Sequence, residues 1–307
     1  MSAHNPINSS NQEIDPSLLF NVSLDKRHTY DRIFAIATWV ATAIGLIVLA
    51  ALLIDTVADA WPRLTGDFIN NFPSRRPLQA GIKPALIGTL WLLGLTASIA
   101  FPLGVGAGIY LEEYAPDDWI SRIIEINIAN LAGVPSIIYG MLGLQVFVRI
   151  MEPLTGGRSI LAGAMTLALL ILPIIIITTR ETLRAIPSSL RQAGFALGAT
   201  RWQVIREHIF PLALPGIMTG TILALSRAIG ETAPLIVVGA ATFVTFLPKD
   251  LQSQFTALPL QIFNWVSRAE EEFHTNAAAG IVILMVVLLF MNGIAIYLRN
   301  KFQQGRN

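Results

Sequence analysis

Ser226-Arg227-Ala228-Ile229-Gly230-Glu231-Thr232-Ala233-Pro234 puts an arginine and a glutamate one helical turn apart, between two strongly apolar flanks. A charged side chain at the centre of a membrane-spanning helix costs about 2.5 to 3.5 kcal/mol on insertion scales, so such a pair needs a partner, a water-filled cavity or an ion. The flanks decide whether that cost applies, and they are the place to start.

They belong to a chain of 307 residues that is 53% hydrophobic, with a mean hydropathy of +0.60 and only 21 Lys and Arg against 20 Asp and Glu. A soluble domain covers its surface with far more charge. The expected fold class is therefore all-α integral membrane. The net charge of +1 comes from dispersed basic residues rather than a stripe, so nucleic acid is not an expected partner and membrane lipid is. The absence of cysteine rules out disulfides, thiolate chemistry and sulfur-ligated metals.

Six segments are long enough to cross about 30 Å of hydrocarbon at about 20 residues each. They run Ile33 to Leu53, Ala85 to Tyr110, Ile124 to Val148, Ile160 to Thr179, Pro211 to Gly230 with an apolar continuation to Phe246, and Ala277 to Leu298. Residues 31–300 then form the transmembrane domain, between a polar N-terminal tail at 1–30, expected from its composition to be disordered, and a short tail at 301–307. No apolar core with a small-residue cleavage site opens the chain, so no signal peptide is expected. Six crossings place both termini on one side. Twelve basic residues fall on that side and eight on the other, which makes it the cytoplasmic side of a multi-pass protein. Glu112, Glu113, Asp117 and Asp118 outnumber Arg122 in the link between crossings two and three, and acidic residues carry little weight in that rule.

Between crossings four and five, residues 189–211 are too polar to span. Leu190, Ala193, Gly194 and Leu197 fall at i, i+3, i+4 and i+7, one helical face, and Gly198 ends the run. Thr200 followed by Gln203 is a capping-box signature for a second start, with Trp202, Ile205 and Ile209 along one side. Two short amphipathic helices joined at a glycine are expected on the inner face. Such a pair either lies on lipid headgroups or docks on a partner. Gln192-Ala193-Gly194, three residues, Gly198, nine residues and then His208-Ile209-Phe210-Pro211 resembles the "EAA" loop of ABC-importer permeases, which inserts between the subunits of a separate ATPase. The resemblance implies coupling through Gln192, Ala193, Gly194, Gly198, Ala199 and Thr200. Gln192 stands where the family pattern has Glu, so no role for that carboxylate carries over.

In the fifth crossing Gly216, Gly220, Ala224 and Ala228 repeat every four residues, a stripe that lets a second helix pack closely and turns Arg227 and Glu231 toward protein. Gly230 and Pro234 bracket Glu231, and proline there breaks or kinks the helix. Interrupted helices at membrane depth are tolerated where they are buried in protein or line a cavity. Two readings of the charges stand: they neutralise one another, or Arg227 offers its planar fork of donors to an oxyanion that Glu231 competes with. Thr232 belongs to the same short segment.

Arg-Ala-Ile-Gly-Glu-Thr-Ala-Pro after such a loop resembles the phosphate ABC-importer permeases, with an Ala-Pro ending like that of their PstA type. Asn130-Leu131-Ala132-Gly133-Val134-Pro135-Ser136-Ile137-Ile138-Tyr139-Gly140 and Leu258-Pro259-Leu260-Gln261-Ile262-Phe263-Asn264-Trp265 extend the resemblance over about residues 80 to 298. It implies a type I ABC-importer permease fold in a prokaryotic inner membrane, with inorganic phosphate as substrate. It also implies a PstC-type second permease, a PstB-type ATPase dimer using ATP and Mg, and a PstS-type phosphate-binding protein, this chain itself binding no cofactor.

Gly133 and Pro135 read either as a kink in a packed helix or as part of the pathway lining. Arg180 and Glu181 read as a solvated end pair, or Arg180 attracts an anion leaving on the inside. Residues 247 to 275 carry Leu251, Phe255, Leu258, Ile262 and Trp265 among polar positions, an external amphipathic segment expected in the interface. No Gly-x4-Gly-Lys-Ser/Thr loop is present, the four histidines have no metal-ligand spacing, and no catalytic residue or metal site is expected. A proton-coupled anion carrier would also place Glu and Arg at membrane depth, but it needs no docking loop, and internal repeats are not evident. A phosphate-signalling scaffold would keep the loop and survive loss of Arg227.

Overall fold

The computed structural model describes residues 24–241 and 243–304, and among these the regular structure is entirely helical. Helix α1 spans Leu24–Ala60, so Leu24 to Tyr30 are helical rather than tail; residues 1–23 lie outside the described residues. The last helix, α13, runs Glu271–Gln304 and takes up most of the segment expected as a C-terminal tail, the remainder of which is also outside the described residues. The chain divides at Asp55, and the packed core belongs to the unit that starts at Thr56.

That core is built on α7, Ile160–Arg184, whose start is capped by the Ser159 hydroxyl accepting from the Ala162 amide at 3.2 Å. α7 is flanked by α3, Lys83–Ile109, and α10, Phe210–Ile229. The small-residue stripe of α10 has the role its spacing implies. A side chain at Gly216 would collide with Thr182 and one at Gly220 with Thr178, while Ala224 and Ala228 are buried. The two threonine hydroxyls are satisfied within α7 by the carbonyls of Thr178 and Ile174, at 2.6 and 2.8 Å, so close approach leaves no polar group stranded. On its other side α10 meets α13 through Ser226 Oγ donating to Asn292 Oδ1 at 2.8 Å and Arg299 Nη1 donating to Thr219 Oγ1 at 3.1 Å, polar contacts of the kind that hold helices together in lipid.

The third crossing is not one straight helix. α4, Trp119–Ala132, and α5, Ser136–Gly143, which continues as a wide π turn over Leu144–Ile150, meet at 103°. The Asp118 carboxylate caps α4 by accepting from the Ser121 amide at 2.9 Å, and that donor holds its pKa below the usual value. Midway along, at Glu125, α4 is tied to the Arg180 end of α7. After the π turn the chain passes through the short helix α6, Glu152–Thr155, where the Leu154 carbonyl accepts from Gln252. The Ile160 amide, at the opposite end of α7, bonds to the Ser253 carbonyl. The bent pair therefore leads from one end of α7 to the other, which makes it a broken span and not a re-entrant loop. With the five long apolar helices it completes six crossings.

The external segment also differs from expectation. Phe255, Leu258 and Trp265 are fully buried, and α12, Leu258–Val266, packs against α3 and the start of α13 instead of resting in lipid. Trp265 lies 5.6 Å from the Phe68 ring, centroid to centroid, and Arg63 ties the neighbouring loop by donating to the carbonyls of Pro77, Leu78 and Ala80 and to Asn276 Oδ1. Burying its large apolar residues inside the protein removes more of their surface from water than an interfacial position does.

Gly220→Val forces β-branched bulk into Thr178, and overpacking of this kind costs about 1–3 kcal/mol. The expected outcome is a reduced monodisperse peak in size-exclusion chromatography of detergent-extracted protein, with Gly106→Val, at an exposed position where an added Cβ meets nothing within 4 Å, behaving as the parent does.

Candidate functional site

The loop between crossings four and five is helical, as its pattern implies. α8 spans Ser188–Ala196, and Gly198 takes φ +81°, a left-handed conformation that a side chain strains. Thr200 then caps the next start. Its hydroxyl accepts from the Gln203 amide at 3.3 Å, and Gln203 Oε1 accepts from the Thr200 amide at 2.8 Å. Gly194 is buried against Val204, which fixes how close α8 comes to the following helix. Leu190, Ala193 and Leu197 are exposed and, with His208 and Leu212, line a groove of about 380 Å³. Gln192 and Thr200 are exposed and Ala199 is half-buried. An apolar helical face turned outward is the expected form of a docking surface.

Two details correct the sequence reading. The second element is not a short helix. α9, Arg201–Val204, passes through a π turn at Ile205–Ile209 into α10 without interruption, so that Arg201–Ile229 is a single rod of 29 residues. At 1.5 Å per residue it reaches about 40 Å, from the loop to the charged segment. Ile205 and Ile209 are buried along this rod, but Trp202 is exposed.

The rod ends at Gly230, where φ is −90° and ψ −5°. A new helix, α11, begins at Ala233 with Pro234 in its first turn, where a proline's missing N–H costs nothing. Pro234 therefore starts a helix instead of kinking one, and Glu231 and Thr232 occupy the gap. Facing this gap is the break in the third crossing. Gly133 ends α4, Pro135 precedes α5, and the Tyr139 hydroxyl reaches back over the bend to donate to the Leu131 carbonyl at 2.7 Å. A Cβ on Gly140 would come within 2.7 Å of Pro234 Cα, so α5 and α11 meet almost backbone to backbone. Of the four residues singled out as helix breakers, Pro234 is buried in this contact, while Gly133, Pro135 and Gly230 are exposed beside it. Neither Tyr139 nor Gly140 was singled out from sequence; their signal is the Tyr-Gly pair that directly follows the first break.

Arg227 and Glu231 sit beside this contact. Arg227 Nε lies 3.5 Å from Glu231 Oε1, at the long limit for a hydrogen bond, and it is the one ion pair either residue makes among the described residues. The arginine side chain is 44% exposed and the glutamate 16%, so Arg227 does not turn into this chain's own helices as its place beside the stripe suggests. Both terminal nitrogens of its guanidinium are free of protein partners among the described residues. A pair that existed to neutralise itself would close more tightly. This one leaves the planar fork open, which suits an oxyanion. Thr232, which follows Glu231 in the gap, is half-buried, and its hydroxyl makes no protein hydrogen bond among the described residues.

Arg180 is elsewhere and otherwise engaged. It lies level with the Gly216 to Gly220 part of α10, about 13 Å along the helix axes from Arg227. Its partners are Glu125 Oε1 at 2.9 Å and Glu112 Oε2 at 3.5 Å, not Glu181. With 13% of the side chain exposed it is not a solvated end group, and its charge is already countered by two carboxylates.

The chain contains no cysteine, so introduced thiols report accessibility without background. Arg227→Cys is expected to react with a membrane-impermeant maleimide in open membranes, while Ala224→Cys and Ala228→Cys, on the buried stripe, stay unlabelled in gel-shift analysis.

Comparison with known proteins bears on the family and the fold. A family model described as binding-protein-dependent transport system inner membrane component matches residues 100–304. The chain is 31% identical over 280 residues to the phosphate transport system permease protein PstA of Haemophilus influenzae, covering 91% of this chain and 96% of that protein. It is 32% identical over 270 residues to the protein of the same name in Yersinia pestis, covering 88% and 90%. Among solved structures, it superposes on a bacterial ABC transporter involved in the import of alginate with a TM-score of 0.59 at 16% identity, covering 89% of this chain and 98% of that one. On the MetNI methionine ABC transporter the TM-score is 0.55 at 20% identity, covering 70% and 94%. These two likenesses establish a type I ABC-importer permease fold. With two thirds of its length inside the family model, the chain belongs to the binding-protein-dependent transport system inner membrane components, permease subunits whose ATPase and substrate-binding protein are separate partners.

Proposed function

We propose that this chain is the PstA-type permease of an ATP-driven inorganic phosphate importer and forms half of a heterodimeric pathway with a PstC-type permease. The observation that carries the reading is the open Arg227 fork at the end of a rod that begins in the docking loop. Phosphate delivered by a PstS-type binding protein passes between the two permeases at the level of the paired helix breaks. There Arg227 supplies charge-assisted donors, Thr232 a hydroxyl, and Glu231 a competing carboxylate that keeps the site weak enough to release its ion. The relatives named for phosphate transport supply the substrate, and the unpaired arginine suits it.

Below the membrane, the exposed face of α8 docks on a PstB-type ATPase dimer that binds ATP and its Mg2+. Rigid-body displacement of α8 moves α10, because α9 and α10 are one rod. With α8 on the cytoplasmic side, six crossings bring both termini to that side of a prokaryotic inner membrane. Arg180 is left outside the pathway, its charge being held by Glu112 and Glu125.

Uptake of labelled inorganic phosphate by cells tests the site. Arg227→Gln and Glu231→Gln are expected to reduce it by about ten- to a hundred-fold, the range for losing a charge-assisted contact of about 1.5–3 kcal/mol, with membrane levels unchanged. Normal uptake in both variants would remove these residues from the pathway. Gly198→Trp places a side chain on left-handed backbone within the docking surface, and it is expected to abolish uptake and to lower co-purification of the ATPase. Retained coupling in that variant would rule the loop out.

A further inference from the structure

The link between the second and third crossings has no part in the function proposed above, yet it holds the densest ionic network among the described residues. Its two adjacent glutamates go separate ways. Glu112 accepts from Arg184 Nε and Nη2 at 3.2 and 3.1 Å and lies 3.5 Å from Arg180, both on α7. Glu113 turns to α8. Arg191 Nη2 donates to its Oε1 at 2.6 Å and Arg191 Nε to Oε1 and Oε2 at 3.1 and 3.2 Å. The Glu113 side chain is 8% exposed and that of Arg191 20%, so this pair is largely withdrawn from water.

Each partner is also fixed to a second element. Arg191 Nη1 and Nη2 donate to the carbonyls of Ile186 and Leu183, at and just beyond the end of α7, both at 2.9 Å. Arg201, at the start of the α9–α10 rod, donates through Nη1 to the Glu113 carbonyl at 2.9 Å, and its guanidinium lies over the Tyr114 ring at 5.7 Å. The glutamates can diverge because α3 ends in a π turn over Tyr110–Tyr114, whose wider spiral carries both carboxylates beyond the last α-helical turn. The end of α3 is thereby bolted to α7, to α8 and to the rod. Arg191 uses its donors on one carboxylate and two carbonyls, the opposite of Arg227.

We infer that Glu113 is a positioning residue of energy coupling: through Arg191 it ties α8 to the end of α3, so that displacement of α8 is delivered to α3 and α7 together with α10. This rests on the proposal that α8 docks on an ATPase. Without the tie, α8 keeps its packing on α9 at Gly194 and Val204 and the Arg191 bonds to the end of α7, and it can tilt without moving α3. With it, the helices on both sides of α7 receive the same push. A buried ion pair suits such a joint, because removing one partner strands the other while the pair itself adds little net stability.

The experiment uses the whole complex, with its second permease, ATPase and binding protein, reconstituted in vesicles and supplied with inorganic phosphate and ATP. Glu113→Gln is expected to co-purify with the ATPase and keep basal ATP hydrolysis, while phosphate moved per ATP hydrolysed falls roughly ten-fold, within the range for residues along a coupling route. The exchanged pair, Glu113→Arg with Arg191→Glu, is expected to recover part of that ratio; a merely structural role for Glu113 shows instead as loss of assembled complex and of basal hydrolysis in Glu113→Gln. An unchanged ratio in Glu113→Gln, or loss of ATPase co-purification in that variant, overturns the inference. Should the parent complex itself hydrolyse ATP without moving phosphate, the functional proposal fails first and takes this one with it.

Discussion

Hydrocarbon offers no hydrogen bond to a backbone amide or carbonyl, so an interrupted helix within a membrane must find its partners in protein or in a water-filled cavity. The structure depends on how it meets that constraint twice in one place. The break at Gly133 and Pro135 and the break after Gly230 face one another through α5 and α11, with Gly140 against Pro234 and Tyr139 bonding to the Leu131 carbonyl. That contact joins α5 to α11, while Gly133, Pro135 and Gly230 themselves stay exposed.

The arginines divide by what the fold leaves for them to do. Arg191 and Arg180 are withdrawn from water, and each is matched to carboxylates. Stranding either would cost several kcal/mol, which explains why acidic partners accompany them. Arg227 has one long contact and an open fork. An arginine maintained in that state inside an apolar segment is expensive unless water or an ion meets it, which is the ground for the site proposed above.

Much of this was legible in the residues. The four-residue stripe identified a close helix contact, the Thr200 and Gln203 pair an initiation, and Gly198 a left-handed stop, because each depends on local sterics or on hydrogen bonds a few residues apart. Glu112 and Glu113 were visible only as a departure from the charge bias. Their partners on α7 and α8 are 72 and 78 positions away, and spacing along a chain carries no information about that. Arg180 was misread for the same reason: its neighbour in sequence, Glu181, points elsewhere, and its ion pairs lie on α4 and at the end of α3.

Sequence alone determined the membrane class, the six apolar segments, the helical loop between crossings four and five and the presence of an arginine and a glutamate one turn apart in the fifth crossing. Composition and short-range periodicity are enough for these, since burial in lipid and helix initiation act on every residue independently of distant ones. Tertiary structure decided that the third crossing is broken at 103°, that its second half meets α11 at Gly140 and Pro234, and that the loop's second helix runs unbroken into the fifth crossing. It also decided which arginines are neutralised. Those outcomes are set by contacts between elements far apart in the chain, where packing and charge pairing choose among arrangements that local preference leaves equal.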